Sequence, residues 1–215
     1  MPGMQCSVLL LNEQTHTLHL GAAPSLPAAY SQAIEGLQIG PDVGSCGTAA
    51  FTGQTVVVSD IGTDPRWINF RPLAAAHQLK ACWSVPVKSS RGKVLGTFAM
   101  YPAHPVAPTQ RERQSIERGA YLASLAIERD QTQQTLHKLS MAVEQSPNSI
   151  VITNLKAEIE YANQAFFTIT GYTPEEVMGC NPRILQSGKS PASTLSHMWA
   201  PPQARHPWER AFLNH

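Results

Sequence analysis

The stretch Gly44-Ser45-Cys46-Gly47-Thr48-Ala49-Ala50 begins in a predicted loop, 40–45, that is rich in glycine, proline and polar residues. Its small side chains predict a short helix over Cys46–Phe51 that ends at Gly53, since glycine commonly closes a helix. A β-branched strand, Thr55–Asp60, is predicted next. Cys46 therefore lies at a helix N-terminus, a position that lowers the pKa of a thiol.

Hairpins are predicted on both sides of this stretch. Cys6–Asn12 is mostly apolar and Thr15–Leu20 alternates polar and apolar residues, which indicates two paired strands. Ala81–Lys88 and Val94–Tyr101 are joined by a polar segment that contains Gly92, as a hairpin needs. Short helices are predicted over 28–34 and 73–79. An antiparallel sheet flanked by helices follows from this order.

A long helix is predicted over Thr109–Gln145. Thr109 and Glu112 have the spacing of a capping box. One stripe at helical spacing, the inner stripe, consists of Ile116, Ala120, Ala123 and Ile127. A second stripe, the seam, has spacings of three and four that resemble a short coiled coil; it comprises Leu122, Leu125, Leu136, Leu139 and Val143, interrupted by the polar Arg129 and Thr132.

The remainder of the chain predicts a second α+β unit. Strands are expected over Ser149–Thr153 and Ile159–Tyr161, and a helix over Asn163–Thr170. Thr173–Glu176 is a helix start, with proline in the first turn and acids near the positive end of the dipole. A further helix is expected over 193–199 and a strand over 208–213.

Composition excludes several functions. The chain has 215 residues, with 16 basic and 15 acidic side chains and a net charge of +1. Such a balance lacks the positive field that nucleic-acid binding requires. None of the four cysteines forms a CxxC pair, and the N-terminus resembles neither an export signal nor a membrane span. The cytoplasm is the expected compartment.

Residues 1–127 resemble a GAF domain. The resemblance rests on Gly44–Ala50, Val57–Ile61 with Asp64–Trp67, Trp83–Val87 and Gly92–Ala99, in that order. In this family the Gly-x-Cys-Gly-Thr-Ala segment opens a helix over a ligand cavity. Members of the family usually have a helix before the first strand, whereas this chain begins almost at the strand.

Residues 141–215 resemble a PAS domain. The resemblance rests on Ala142–Pro147, Tyr161–Phe166, Thr170–Gly179, Asn181–Gly188 and Trp208-Glu209. A whole PAS fold has further strands after Leu213, which predicts a domain incomplete at its C-terminus. The GAF–PAS order resembles bacterial sensor histidine kinases and cyclic-di-GMP enzymes with GGDEF or EAL output domains.

These resemblances imply an α+β protein with two antiparallel-sheet sensor domains. The expected organisation is a GAF-like domain at 1–127, a helical linker at 128–140 and a PAS-like domain at 141–215. The expected function is signal reception: a small ligand or partner is bound, and the change passes along the linker helix to an output domain absent from this chain. The same helix predicts a homodimer. No enzymatic activity is expected.

Two alternatives stay open. One is a dimerisation scaffold that binds no ligand. The other is a redox enzyme, because a GAF family that reduces free methionine sulfoxide carries Gly-x-Cys-Gly at a similar place. That family has further cysteines in neighbouring loops, and here 34–42 and 63–72 contain none, while Cys82 lies in a predicted strand. A structural role is therefore predicted for Cys46.

The sequence identifies no cofactor. Flavin-binding LOV domains have a photoreactive cysteine where this chain has Pro182, which leaves non-covalent flavin with Asn181 and Gln186 as candidate partners. The Cys-His pair that attaches bilin is missing, and no metal motif is present, although a haem ligand leaves little trace in a sequence. The candidate ligand-binding residues are Cys46, Asp60, Trp67, Phe70, Trp83, Asn163, Asn181 and Gln186.

Overall fold

The computed structural model describes residues 4–185. The chain divides into two compact units, 1–132 and 133–215. The first unit holds the Gly44–Ala50 segment, and the second begins inside the long helix. Each unit is described by itself.

The first unit contains a six-stranded sheet in which every neighbouring pair is antiparallel. The strand order is β3-β2-β1-β6-β5-β4. The two predicted hairpins, β1–β2 and β5–β6, therefore pair with each other through β1 and β6 at the centre. The strands are β1 Gln5–Asn12, β2 Thr17–Ala22, β3 Leu37–Gln38, β4 Val56–Val58, β5 Cys82–Lys88 and β6 Val94–Tyr101.

The sheet has apolar packing on both faces. Alternation along β5 places Cys82 in one core cluster and Trp83 in the other. The Cys82 face is covered by α1 Ala28–Ala33, α2 Gly44–Thr52 and α3 Arg71–Ala76, with a 3-10 helix at Pro65–Trp67. The Trp83 face is covered by the N-terminal part of the long helix.

Gly96 permits the central pairing of the sheet. It lies opposite Leu10 in the β1–β6 ladder. A Cβ atom at Gly96 would stand 2.0 Å from the carbonyl oxygen of Leu9, and backbone atoms of Leu9 and Leu10 lie close behind. Only glycine fits at this point, which explains the second glycine of the Gly92–Ala99 segment.

The long helix, α4, spans Gln110–Glu144. The capping box is confirmed: the Thr109 amide and hydroxyl both donate to the Glu112 carboxylate, and the Glu112 amide donates to the Thr109 hydroxyl. The inner stripe packs on the Trp83 face of the sheet. The leucines of the seam are between 47% and 65% exposed.

The second unit contains a β-hairpin and short helices. Strands β7 Val151–Thr153 and β8 Ile159–Ala162 pair antiparallel, and α5 Gln164–Thr170 and α6 Pro174–Val177 follow. A 3-10 helix at Pro182–Leu185 closes the described chain. Among the described residues of this unit, four buried side chains form a core cluster: Ile159, Ala162, Phe166 and Val177.

The predicted fold class is confirmed, with α+β units and a long helix, and element bounds differ in places. The helix predicted over 73–79 spans Arg71–Ala76, because Pro72 starts it early and Gln78 adopts a left-handed conformation with φ 59°. Strand β3 was not predicted. The elements expected over 193–199 and 208–213 lie outside the described residues, and the domain boundaries stay predictions. Within 4–185, no helix has the length and apolar character that crossing a membrane requires.

Candidate functional site

A pocket lies between the sheet and the helices that cover its Cys82 face. Its cavity is small, with a volume of about 20 Å³, which is room for about one water molecule. No charged side chain is among the residues that line it, which are Leu9, Tyr30, Ile34, Leu37, Val43, Gly44, Ser45, Cys46, Trp67, Phe70 and Tyr101. Such a lining suits an uncharged and largely apolar molecule, because a buried charge needs a partner.

Ser45 ties the start of α2 to two other elements. Its hydroxyl donates to the carbonyl oxygen of Cys82 at 3.1 Å and accepts a hydrogen bond from the Trp67 indole at 3.1 Å. Trp67 in turn packs edge-on against Phe70, with ring centroids 6.3 Å apart. One buried hydroxyl therefore positions the pocket wall, and it holds the beginnings of α2 and β5 together.

Cys46 and Cys82 meet in the core beneath the pocket. Both belong to one buried cluster. The Cys82 thiol is the largest influence on Cys46, lowering its pKa to about 7 against the opposing effect of burial. Burial raises the pKa of Cys82, and the Cys46 thiol raises it further. Cys46 thus ionises first, while Cys82 keeps its proton and donates it.

Tyrosine hydroxyls complete the polar interior of the pocket. Tyr101 Oη lies 3.7 Å from Cys46 Sγ and 3.3 Å from Ser7 Oγ. Burial, followed by the negative charge of a neighbouring thiolate, raises the pKa of Tyr101 well above its ordinary value, and burial does the same for Tyr30. Both phenols stay neutral and are available as donors to a sulfur atom or to a ligand.

Three of the predicted ligand-binding residues line the pocket. Two other predicted residues of the first unit lie elsewhere. Cys46, Trp67 and Phe70 line the pocket. Asp60 closes a turn by accepting a hydrogen bond from the Gly62 amide at 2.8 Å. Trp83 lies on the opposite face of the sheet, where its indole donates to the Val106 carbonyl at 3.1 Å.

In the second unit the predicted residues lie at helix starts. Asn163 is fully buried and caps α5; its Oδ1 accepts from the amides of Phe166 and Ile150. Asn181 Oδ1 accepts from the Arg183 amide at 3.0 Å. Gln186 lies outside the described residues. As ligand-binding residues, these three stay predictions.

The sequence reasoning missed Tyr30, Ser45, Tyr101 and the contact of Cys82 with Cys46. Cys82 was set aside because it lies in a strand and not in a loop. The signal was the alternation of β5 and β6, which places Cys82, Ser84, Thr97 and Tyr101 on the face that α2 covers. Among residues 4–185, no cluster of three or more metal-ligating side chains occurs.

Comparisons with known proteins agree with this architecture. A model of the GAF domain matches residues 1–128, and a model of the PAS fold matches residues 138–211. The GAF domain of a phosphoenolpyruvate-protein phosphotransferase from Coxiella burnetii has a TM-score of 0.51 at 14% identity, over 61% of this chain and 75% of that one. That likeness shows the fold.

One similar protein is a sensor and another is a regulatory protein. The chain is 37% identical over 182 residues to the methyl sulfide methyltransferase-associated sensor of Methanosarcina acetivorans, covering 82% of this chain and 18% of the relative. It is 38% identical over 72 residues to the nitrogen fixation regulatory protein of Klebsiella pneumoniae, covering 34% of this chain and 14% of that protein. The chain thus spans less than a fifth of either relative.

The sheet, its covering helices and the second α+β unit define a sensory region of the signal-sensing, regulatory class. The chain belongs to the GAF domain family through residues 1–128, and it continues into a PAS fold.

Proposed function

We propose that the pocket of the first unit receives a small, uncharged and largely apolar signal molecule. The observation that carries this proposal is the lining, which has aromatic and aliphatic walls, three polar hydroxyls from Tyr30, Ser45 and Tyr101, and no charged side chain. A phosphate-bearing nucleotide would lose its hydration there without gaining a cationic partner. A neutral ring with one polar atom matches the chemistry of this lining. Because the cavity volume is about 20 Å³, the pocket walls must move apart to admit such a ring.

The proposed role is regulatory and not catalytic. Free methionine sulfoxide is a zwitterion, and a reductase for it needs partners for its ammonium and carboxylate groups. The pocket lining contains no Asp, Glu, Lys, Arg or His side chain that could pair with these groups. A reductase is therefore disfavoured by the pocket lining as well as by the positions of the cysteines.

The proposed relay runs through α4. The inner stripe packs on the same sheet whose other face carries the pocket, and the seam leaves exposed leucines for a second copy of the chain. A homodimer in the cytoplasm would pass a shift or rotation of this helix to an output domain in a longer parent protein, either a kinase or a GGDEF/EAL cyclic-di-GMP enzyme. The regulatory relatives, of which this chain spans less than a fifth, support that organisation.

Thermal unfolding with indole as the probe tests the pocket. Indole is neutral, aromatic and carries one donor, so it matches the lining. At a free concentration ten times its Kd, it should stabilise the first unit by about 1.4 kcal/mol and raise the Tm measurably. Cyclic GMP, at equal concentration, should leave the Tm unchanged.

A matched pair of variants locates the binding. Leu37→Trp adds a large ring to the pocket wall and should abolish the Tm shift with indole. Leu20→Trp makes the same change at an exposed position of β2 and should retain it. Indole binding that survives Leu37→Trp, or cyclic GMP binding in place of indole, would contradict the proposal. A turnover assay with free methionine sulfoxide and a thiol reductant should show no product above the thiol-only rate.

A further inference from the structure

We propose that Cys46 and Cys82 are a reversible redox pair, in which Cys46 reacts with a hydroperoxide that enters the pocket and Cys82 then closes a disulfide. This site goes beyond the proposed ligand binding and does not depend on it, because oxidation of the two thiols can be measured in protein to which no ligand has been added.

The fold brings two distant cysteines into contact. Cys46 stands at the start of α2 and Cys82 at the start of β5, and both are buried in one core cluster. Their thiols are near enough that Cys82 is the largest influence on the ionisation of Cys46. The Ser45 hydroxyl, bonded to the Cys82 carbonyl at 3.1 Å, holds the two backbones side by side. A disulfide needs neighbouring backbones, and this tether supplies them, while burial in one cluster keeps both thiols in the same part of the core.

The two thiols differ in access to the pocket and in acidity, as a reacting thiol and a resolving thiol must. Cys46 lines the pocket, so a small oxidant can reach it, whereas Cys82 lies behind it with no exposed surface. Cys46 also stands in the first turn of a nine-residue helix, where the dipole favours a thiolate. The thiolate is the nucleophile in peroxide reduction, which assigns the first step to Cys46.

Unused hydroxyls surround the sulfur of Cys46. Ser84 Oγ on β5 and Thr97 Oγ1 on β6 belong to fully buried residues, and neither makes a well-formed hydrogen bond. Both lie on the sheet face that α2 covers, and both lower the pKa of the Cys46 thiol. Buried hydroxyls without a partner call for an explanation. A thiolate sulfur, or the oxygen of a sulfenic acid, would give both of them an acceptor that a neutral thiol provides only weakly.

The chemistry balances with one oxidant. The Cys46 thiolate attacks the terminal oxygen of the hydroperoxide, the O–O bond breaks, and an alcohol or water leaves as the sulfur becomes a sulfenic acid. The Cys82 thiol then attacks that sulfur, the S–O bond breaks, and a water carries away the hydroxyl group and the proton of Cys82. Two thiols lose two electrons in all, and a dithiol reductant returns them.

The test uses the full chain with Cys6→Ser and Cys180→Ser, which leaves only the buried pair. After hydrogen peroxide, the thiols titrated in denaturant should fall from two per chain to none, and a dithiol should restore both. Digestion without reductant should yield one peptide pair joined through Cys46 and Cys82. The rate should rise about tenfold between pH 6 and pH 8, as expected for a thiol with a pKa of about 7.

Two single variants in the same background assign the roles. With Cys82→Ala, dimedone should trap a sulfenic acid at Cys46; with Cys46→Ala, Cys82 should stay reduced. The proposal is overturned if both thiols remain after peroxide, if Cys46 proceeds to sulfinic acid without a disulfide, or if Cys82 oxidises without Cys46. Should either variant fail to fold, the linked peptide from the unmutated pair decides the question alone.

Discussion

Single polar side chains organise the interior of each unit. Ser45 joins α2, the 3-10 helix and β5 through one hydroxyl. Asn163 has the corresponding role in the second unit: its amide group accepts from the Phe166 and Ile150 amides and donates to the carbonyls of Val143 and Asn148. Each of these residues hydrogen bonds both at the start of a helix and to distant chain segments. Replacing one therefore destabilises more than one element.

Asn163→Ala should destabilise the second unit by about 2–3 kcal/mol, because the amides of Ile150 and Phe166 and two backbone carbonyls lose a buried side-chain partner. Hydrogen exchange at the Ile150 and Phe166 amides should accelerate by tens of times. Asn148→Ala, the same change at an exposed position, should leave these rates nearly unchanged. Equal exchange in both variants would show that the cap does not hold the hairpin to α5.

At the scale of elements, the sequence predicted the hairpins, the long helix and its capping box, because each has a local signal. Periodicity defines the inner stripe and the seam of α4, and Gly92 defines the β5–β6 turn. The two-residue strand β3 has no such signal; its pairing with Thr17 and Leu18 depends on tertiary context. The pocket was predicted in part, through Trp67, Phe70 and Cys46.

Contacts between separate elements account for what sequence reasoning missed at the site. Cys82 is 36 residues from Cys46 in the chain, and only the sheet register and the Ser45 tether bring them together. Trp83 was expected to line a pocket because aromatic residues often do. Alternation along β5 places it instead on the α4 face, in a second core that an aromatic residue fills equally well.

Gly96→Ala should disrupt the centre of the sheet. Its new methyl group would collide with the Leu9 carbonyl, so the β1–β6 pair must separate, at a cost of about 3 kcal/mol or more. Gly92→Ala should cost only about 1 kcal/mol, since that position has open space and a left-handed φ of 81°. Urea denaturation followed by circular dichroism measures the free energy of unfolding of both variants. Equal losses would mean that the collision is relieved by small shifts.

At the scale of the whole molecule, the seam should govern association. Leu136→Asp places a charge at the centre of a coiled-coil interface and should convert a dimer to a monomer in sedimentation experiments. Met141→Asp makes a comparable change at an exposed position of α4 outside the seam and should leave the dimer intact. A wild-type chain that is monomeric at all accessible concentrations would rule out this mode of association.

The two stripes of α4 make the direction of the distal leucines depend on the number of residues in the helix. The inner stripe is fixed to the sheet, so the number of residues after Ile127 sets the angular phase at which Leu136 and Leu139 emerge. Seven inserted residues would restore nearly the same phase, whereas two would turn the distal leucines by about 200°, away from a partner. Functional variants of this region should therefore differ in length by multiples of seven residues.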